Sequence, residues 1–178
     1  QNVLDEWILE LLVNLTMTVT KSMDGFDTVT AINALKAFVD DFSTWYIRRS
    51  RDRVGPSADD LEDKTAFYQT AYEVLTTICK LFAPIAPFFS EAMYLNLTDG
   101  KSVHLEDWPV LKQEAKSKKQ ELMDEMSLTR KIVEAALSQR KDAQIKVRQP
   151  LASLATTTAI KLSDPFIDLI KDEVNVQE

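Results

Sequence analysis

The segment Trp45-Tyr46-Ile47-Arg48-Arg49-Ser50-Arg51-Asp52-Arg53 puts four arginines and two aromatics in nine residues of a chain with a formal net charge of −7. Guanidinium forks grip phosphate oxygens, and Arg, Tyr and Trp faces stack on unpaired bases, which is the chemistry of single-stranded RNA recognition. A solvated helix end is the alternative reading of the same residues. Positive charge gathers again at Lys112 to Lys119 and from Arg130 to Arg148. Residues 1–44, by contrast, carry seven acids against two lysines, and Asp59, Asp60, Glu62 and Asp63 form a further acidic block. Such asymmetry gives an acidic protein a locally positive surface.

Other chemistries find little to work with. The single histidine, His104, has no nucleophile patterned around it and reads as structural. Cys79 is the single cysteine, so the chain makes no internal disulfide or cysteine zinc cluster. Its apolar helical setting points to a buried thiol. Three scattered glycines form neither phosphate-cradling loop motif. Glu121, Asp124 and Glu125, like Asp40 and Asp41, sit at the spacing of solvated helix-surface charges. No apolar run approaches the roughly 20 residues that span a bilayer, and unpaired cysteine chemistry fits a reducing compartment, read as the cytoplasm. Gln1 opens almost directly on a helical pattern, which suits an internal segment of a longer protein.

The elements that must position the arginines are helices. A chain of 178 residues with 45% hydrophobic and 28% charged content, three glycines and six prolines reads as a soluble, helix-rich domain, or a domain with an appendage. Trp7, Ile8, Leu11, Leu12 and Leu15 predict a first helix from about Leu4 to Met23, closed by Asp24-Gly25. Asp27 or Thr28 caps the second. Its stripe of Ile32, Leu35, Val39, Phe42 and Tyr46, widened by Phe38 and Trp45, marks a bundle helix. At about 100° per residue, Arg49 and Arg53 follow that stripe inward while Arg48 and Arg51 point outward. Arg49 is therefore expected to be partly structural, paired to a carboxylate, and Trp45 to be buried rather than stacked on a base. Ser57 or Asp59 starts a third helix, which Pro84 ends; Pro87 opens a short fourth one. Ser102 to Pro109 is an extended connector whose Trp108 packs on the bundle. A long helix follows from Leu111 or Lys112 to Arg140. Beyond Lys146 the β-branched run Leu151 to Ile160, a helix from Asp164-Pro165 to Lys171, and Val174-Asn175-Val176 predict β-α-β.

Three segments, in this order and at these separations, resemble the anticodon-binding part of isoleucyl-tRNA synthetase, a class I aminoacyl-tRNA synthetase. They are Trp45 to Arg53, Ser102-Val103-His104-Leu105-Glu106-Asp107-Trp108-Pro109 and Lys146-Val147-Arg148-Gln149-Pro150-Leu151. Asp5-Glu6-Trp7-Ile8-Leu9 resembles the opening of that bundle. Leu81-Phe82-Ala83-Pro84-Ile85-Ala86-Pro87-Phe88 is similar to a hinge shared with the valyl and leucyl enzymes. The resemblance implies a mainly α fold, an antiparallel helical bundle over residues 1–143. A short β-α-β appendage over 144–178 would be the start of a small α+β module. It implies a non-catalytic grip on the anticodon stem-loop of the tRNA for isoleucine, next to a catalytic domain of the same chain. ATP, and in many bacterial members zinc, belong to that parent and not to this segment. The RNA-binding candidates are Arg48, Arg51, Arg49, Arg53 and Tyr46, with Arg130, Lys131, Arg140, Lys146 and Arg148 behind them. Arg148 serves equally well as a structural anchor where the long helix ends. Two alternatives stay open: the valyl enzyme, and a helical module that meets an acidic protein and has no RNA role.

Overall fold

The computed structural model describes residues 2–56, 58–110, 116–158 and 160–177. They form two compact units, 1–114 and 115–178. The long helix thus groups with the C-terminal residues, whereas the pattern of the sequence places the boundary at 143/144.

In the first unit α1 (Val3–Asp24) is capped by Asn2, whose Oδ1 accepts from the Leu4 amide at 2.9 Å. Its inner face buries Trp7, Ile8, Leu12, Leu15 and Val19. Gly25 follows at φ −88°, and the left-handed residue that turns the chain is the exposed Phe26 at φ 57°. Asp27 then caps α2 (Thr28–Asp41) through the Thr30 amide. With so short a connection, α2 must return antiparallel to α1. It buries Ala31, Leu35 and Phe38, leaving Ile32 43% and Val39 40% exposed. The inward stripe therefore lies one residue away from the expected Ile32–Val39 line.

The helix does not continue as α through the arginines. Residues Phe42–Ile47 form a π turn, in which the Arg48 amide reaches back to the Ser43 carbonyl. Its wider turn keeps Phe42, Tyr46 and Ser50 buried at successive four-residue steps, where an α-helix would rotate them off the core. A short α3 (Arg51–Val54) follows. Asp60 caps α4 (Leu61–Phe82); the expected Ser57 cap lies outside the described residues. Pro84 follows its end and Pro87 occupies the first turn of α5 (Pro87–Leu97). Tyr94 on α5 packs with Cys79, Ala83 and Val103, and burial pushes the Cys79 thiol up. Val103–Leu105 is a single 3-10 turn. The Trp108 Nε1 then donates to Thr20 Oγ1 at 2.8 Å and fixes the connector to the end of α1.

In the second unit α6 (Lys116–Asp142) packs on α7 (Asp164–Val174). The expected start of α6 at Leu111 or Lys112 lies outside the described residues, as does much of the Lys112 to Lys119 cluster. Met126, Thr129, Ile132, Val133 and Ala136 supply the buried face of α6, and Phe166, Leu169, Ile170 and Val174 that of α7. From α6, the Glu125 carboxylate accepts from the Ser163 amide and hydroxyl at the head of α7.

The β-α-β appendage is corrected by the structure. Among the described residues there is no sheet, only an isolated parallel bridge between Leu151 and Val176. β-Branched residues favour a strand only when a neighbouring strand and a packed face exist. Thr156 and Thr157 are exposed, and Leu154 lines an open cavity of about 290 Å³ together with Leu162, Ile167 and Val176.

Candidate nucleic-acid interface

The arginine-bearing turn is held at both ends by one carboxylate. Asp5, in the first turn of α1, has a side chain with no solvent exposure. Its Oδ1 accepts from the Tyr46 hydroxyl at 2.8 Å and from Arg53 Nη1 at 2.7 Å. Its Oδ2 accepts from Arg53 Nη2 at 2.7 Å. The other edge of the same guanidinium donates to Asp63 on α4, Nε to Oδ2 and Nη2 to Oδ1, both at 2.7 Å. Arg53 therefore joins two carboxylates from helices distant in sequence through a double fork, a geometry that lysine cannot copy.

The neighbourhood explains why this ionic cluster is stable away from water. Phe38, Phe42, Tyr46 and Phe67 form a run of near-parallel rings with centroids 5.4 to 6.3 Å apart. The Arg53 guanidinium carbon lies 5.8 Å from the Phe67 centroid. Burial, then the bond to Asp5, drives the Tyr46 phenol far above its ordinary value, so it remains a proton donor. Burial opposes the Arg53 charge, but its bonds to Asp5 and Asp63 outweigh that and favour the cation. The bond from Arg53 holds the Asp63 carboxyl below its ordinary value.

Between these fixed ends the candidates separate by exposure. Arg48 and Arg51 are exposed, with Arg48 Nε donating to the Thr44 carbonyl at 2.9 Å. Arg49 and Trp45 are half-buried, and Ser50 is buried. Tyr46 is fully buried: its ring is core and its hydroxyl is committed to Asp5. Arg53 is half-buried, and its donors are occupied by Asp5 and Asp63. The exposed ring beside this cluster is Tyr68, edge-on to Phe67 and 54% exposed. Its helical position on the flank of α4 was readable, but nothing in the sequence linked it to the arginines.

The second unit carries the other five candidates. Arg140, at the end of α6, is 3% exposed. It donates to the carbonyls of Lys146, Gln149 and Asn175 at 3.0 to 3.1 Å. It is the anchor of the turn that follows the helix, with its guanidinium turned to backbone carbonyls rather than to solvent. Lys146 and Arg148 are exposed on that turn, so Arg140 and not Arg148 has the anchoring position. Lys131 is exposed and Arg130 half-buried.

Metal chemistry finds no fitting donor set. Among the described residues, no group of three or more His, Cys, Asp or Glu could hold a metal ion, and Cys79 is buried. No helix is long and apolar enough to cross a membrane, the described residues being those searched.

The comparisons with known proteins bear on this arrangement. The isoleucine–tRNA ligase of Bacillus thuringiensis (strain Al Hakam) is 40% identical over 177 residues, covering 98% of this chain. That of Clostridium novyi (strain NT) is 40% identical over 184 residues and covers all of it. That of Clostridium tetani (strain Massachusetts / E88) is 38% identical over 184 residues, again across the whole chain. The chain spans 17% of the length of each of these relatives. A family model described as the anticodon-binding domain of tRNA ligase matches residues 5–156, which take in the Asp5–Arg53–Asp63 cluster, the arginine turn and the Arg140 anchor. The chain belongs to the family of anticodon-binding domains of tRNA ligases.

Proposed function

We propose that this chain is the non-catalytic domain by which an isoleucine–tRNA ligase grips the anticodon stem-loop of its tRNA. The observation that carries the reading is the exposed Arg48–Arg51 turn, held at Tyr46 and at Arg53, in a chain of this family. Arg48 and Arg51 serve as phosphate ligands, each neutralised phosphate contributing a salt slope of about −0.7 on single-stranded RNA. Tyr68 takes the stacking role that burial denies to Tyr46, a contact worth about 1–3 kcal/mol per base. Lys131, Lys146 and Arg148 are the second unit's candidate phosphate ligands, with the half-buried Arg49 and Arg130 giving supporting charge. The names of the relatives support isoleucine over valine as the amino acid concerned. ATP-dependent charging, a catalytic domain in the same polypeptide, zinc where the family uses it, and a cytoplasmic setting belong to that parent.

The test is binding of the 178-residue chain to isoleucine tRNA and to a copy with a substituted anticodon, across a salt series. A preference for the native anticodon that weakens with salt is the expected result. Equal binding to both would reduce the role to a phosphate grip. An absence of binding at low salt would overturn recognition by this domain alone.

A further inference from the structure

We propose that the Asp5–Arg53–Asp63 clamp is a positioning device for RNA, so that Asp63, although an anionic group, strengthens binding of the anticodon stem-loop. The proposal rests on the reading of Arg48 and Arg51 as phosphate ligands.

The geometry is that of a loop closed on one atom. Asp5 Oδ1 accepts both from the Tyr46 hydroxyl, before the arginine turn, and from Arg53 Nη1, after it. Residues 47–52 are therefore strung between two points bound to the same buried carboxylate. Within that loop Ser50 is buried, while Arg48, Arg51 and Asp52 are exposed. Asp63 completes the clamp from α4 by taking the remaining edge of the guanidinium. Without it Arg53 keeps one fork and gains freedom about Asp5, and the turn loses its tie to a second helix. Arginines held in place lose less freedom on meeting phosphate than arginines on a free helix end.

Electrostatics alone argues the other way. Two carboxylates around one guanidinium leave the cluster with an excess negative charge, and the Asp63 side chain is 30% exposed. A negative charge near the arginine turn repels phosphate. The sign of the effect of Asp63 on binding therefore separates positioning from mere charge.

The experiment compares Asp63→Asn with Glu62→Gln, an exposed neighbour outside the clamp, by titrating each 178-residue chain with isoleucine tRNA at fixed salt. Both changes remove one negative charge. Asp63→Asn is expected to weaken binding about threefold to tenfold through lost ordering, while Glu62→Gln leaves it unchanged or slightly tighter. Urea denaturation confirms that each variant is folded under assay conditions. Should Asp63→Asn fail to fold, Asp63→Glu decides: it preserves the charge and displaces the fork by one methylene, so weaker binding with an unchanged salt slope supports positioning. Binding by Asp63→Asn as tight as that of Glu62→Gln, or by Asp63→Glu equal to the unsubstituted chain, overturns the proposal. Arg51→Gln and Arg48→Gln are run beside them. If neither weakens binding, the reading of the arginines has failed and the clamp falls with it; if they weaken binding and Asp63→Asn does not, only the clamp is wrong.

Discussion

Two anchoring arginines, Arg53 and Arg140, each hold an exposed basic turn, by different chemistry. Arg53 is fixed by carboxylates on two other helices, Asp5 at 48 residues' distance and Asp63 at ten. Arg140 is fixed by three backbone carbonyls, two of them in the turn it supports. The first anchor joins helices and depends on particular side chains. The second satisfies carbonyls near a helix C-terminus, where cations are favoured whatever the neighbouring side chains are. A carboxylate anchor can therefore be broken by substitution at a distance, or by acid, and a carbonyl anchor only at the arginine itself.

The sharpest way to break the first anchor is at Asp5. Its removal leaves the Arg53 charge short of one partner and the Tyr46 hydroxyl without its short bond, both in surroundings largely closed to water. Breaking a buried pair in this way costs about 3–5 kcal/mol, so Asp5→Ala should lower the urea midpoint more than Asp63→Asn, Arg140→Met or the loss of any exposed cation. The corresponding change in the second anchor, Arg140→Met, strands carbonyls near the surface of the unit, where water recovers some of the loss. It should cost about 1–3 kcal/mol, with amide exchange accelerating over residues 145–149 and little change near Arg53. If Arg140→Met proves as costly as Asp5→Ala, the contrast between the two anchors is wrong.

The sequence disclosed these anchors unevenly, for physical reasons. Helical periodicity located α1, α2, α4 and α5, and it aimed Arg53 inward, because apolar spacing reports the face that a helix buries. It missed the π turn, since one extra residue per turn leaves the residue types unchanged, and it centred the inner face on Ile32 and Val39, leaving out Ala31 and giving Phe38 only the edge of the stripe. Asp5 and Asp63 read as members of acidic surface blocks, because partners tens of residues apart leave no local signal. Arg140 read as one cation of a basic stretch; its ligands are backbone carbonyls, which carry no residue identity at all. The threonine-rich tail failed in the opposite sense, where local propensity had no partner strand to act on among the described residues. Exposure of Arg48 and Arg51 was legible from the helical wheel, and the clamp that fixes them was not.

Acid should separate the anchors next. The Asp63 carboxyl titrates below its ordinary value because Arg53 donates to it. The stability this provides is fully present above the carboxyl's unfolded-state value and is lost as pH falls through the lower folded-state value. Amide protection over residues 46–54 should therefore fall as pH drops below the ordinary carboxylate range. After correction for the intrinsic pH dependence of exchange, protection over 145–149 should change less, since carbonyl acceptors do not titrate. Equal loss in both segments would mean that acid opens the whole chain rather than the carboxylate anchor.

The smallest effects on stability belong to the exposed cations, and there the comparison turns from anchors to what they present. Arg51→Gln and Arg148→Gln should each leave the unfolding free energy within about 0.5 kcal/mol of the unsubstituted chain, because neither side chain is buried. If both grip phosphate, each should reduce the salt slope of tRNA binding by about 0.7, and the double variant should lose the sum, as independent contacts do. A change at Arg51 with none at Arg148 would assign the grip to the first unit alone. The Arg140 anchor would then serve the local fold only, and the Arg53 anchor would be the one of the two tied to recognition. The converse result would make the carbonyl anchor the functional one and leave the double fork of Arg53 as a brace between helices.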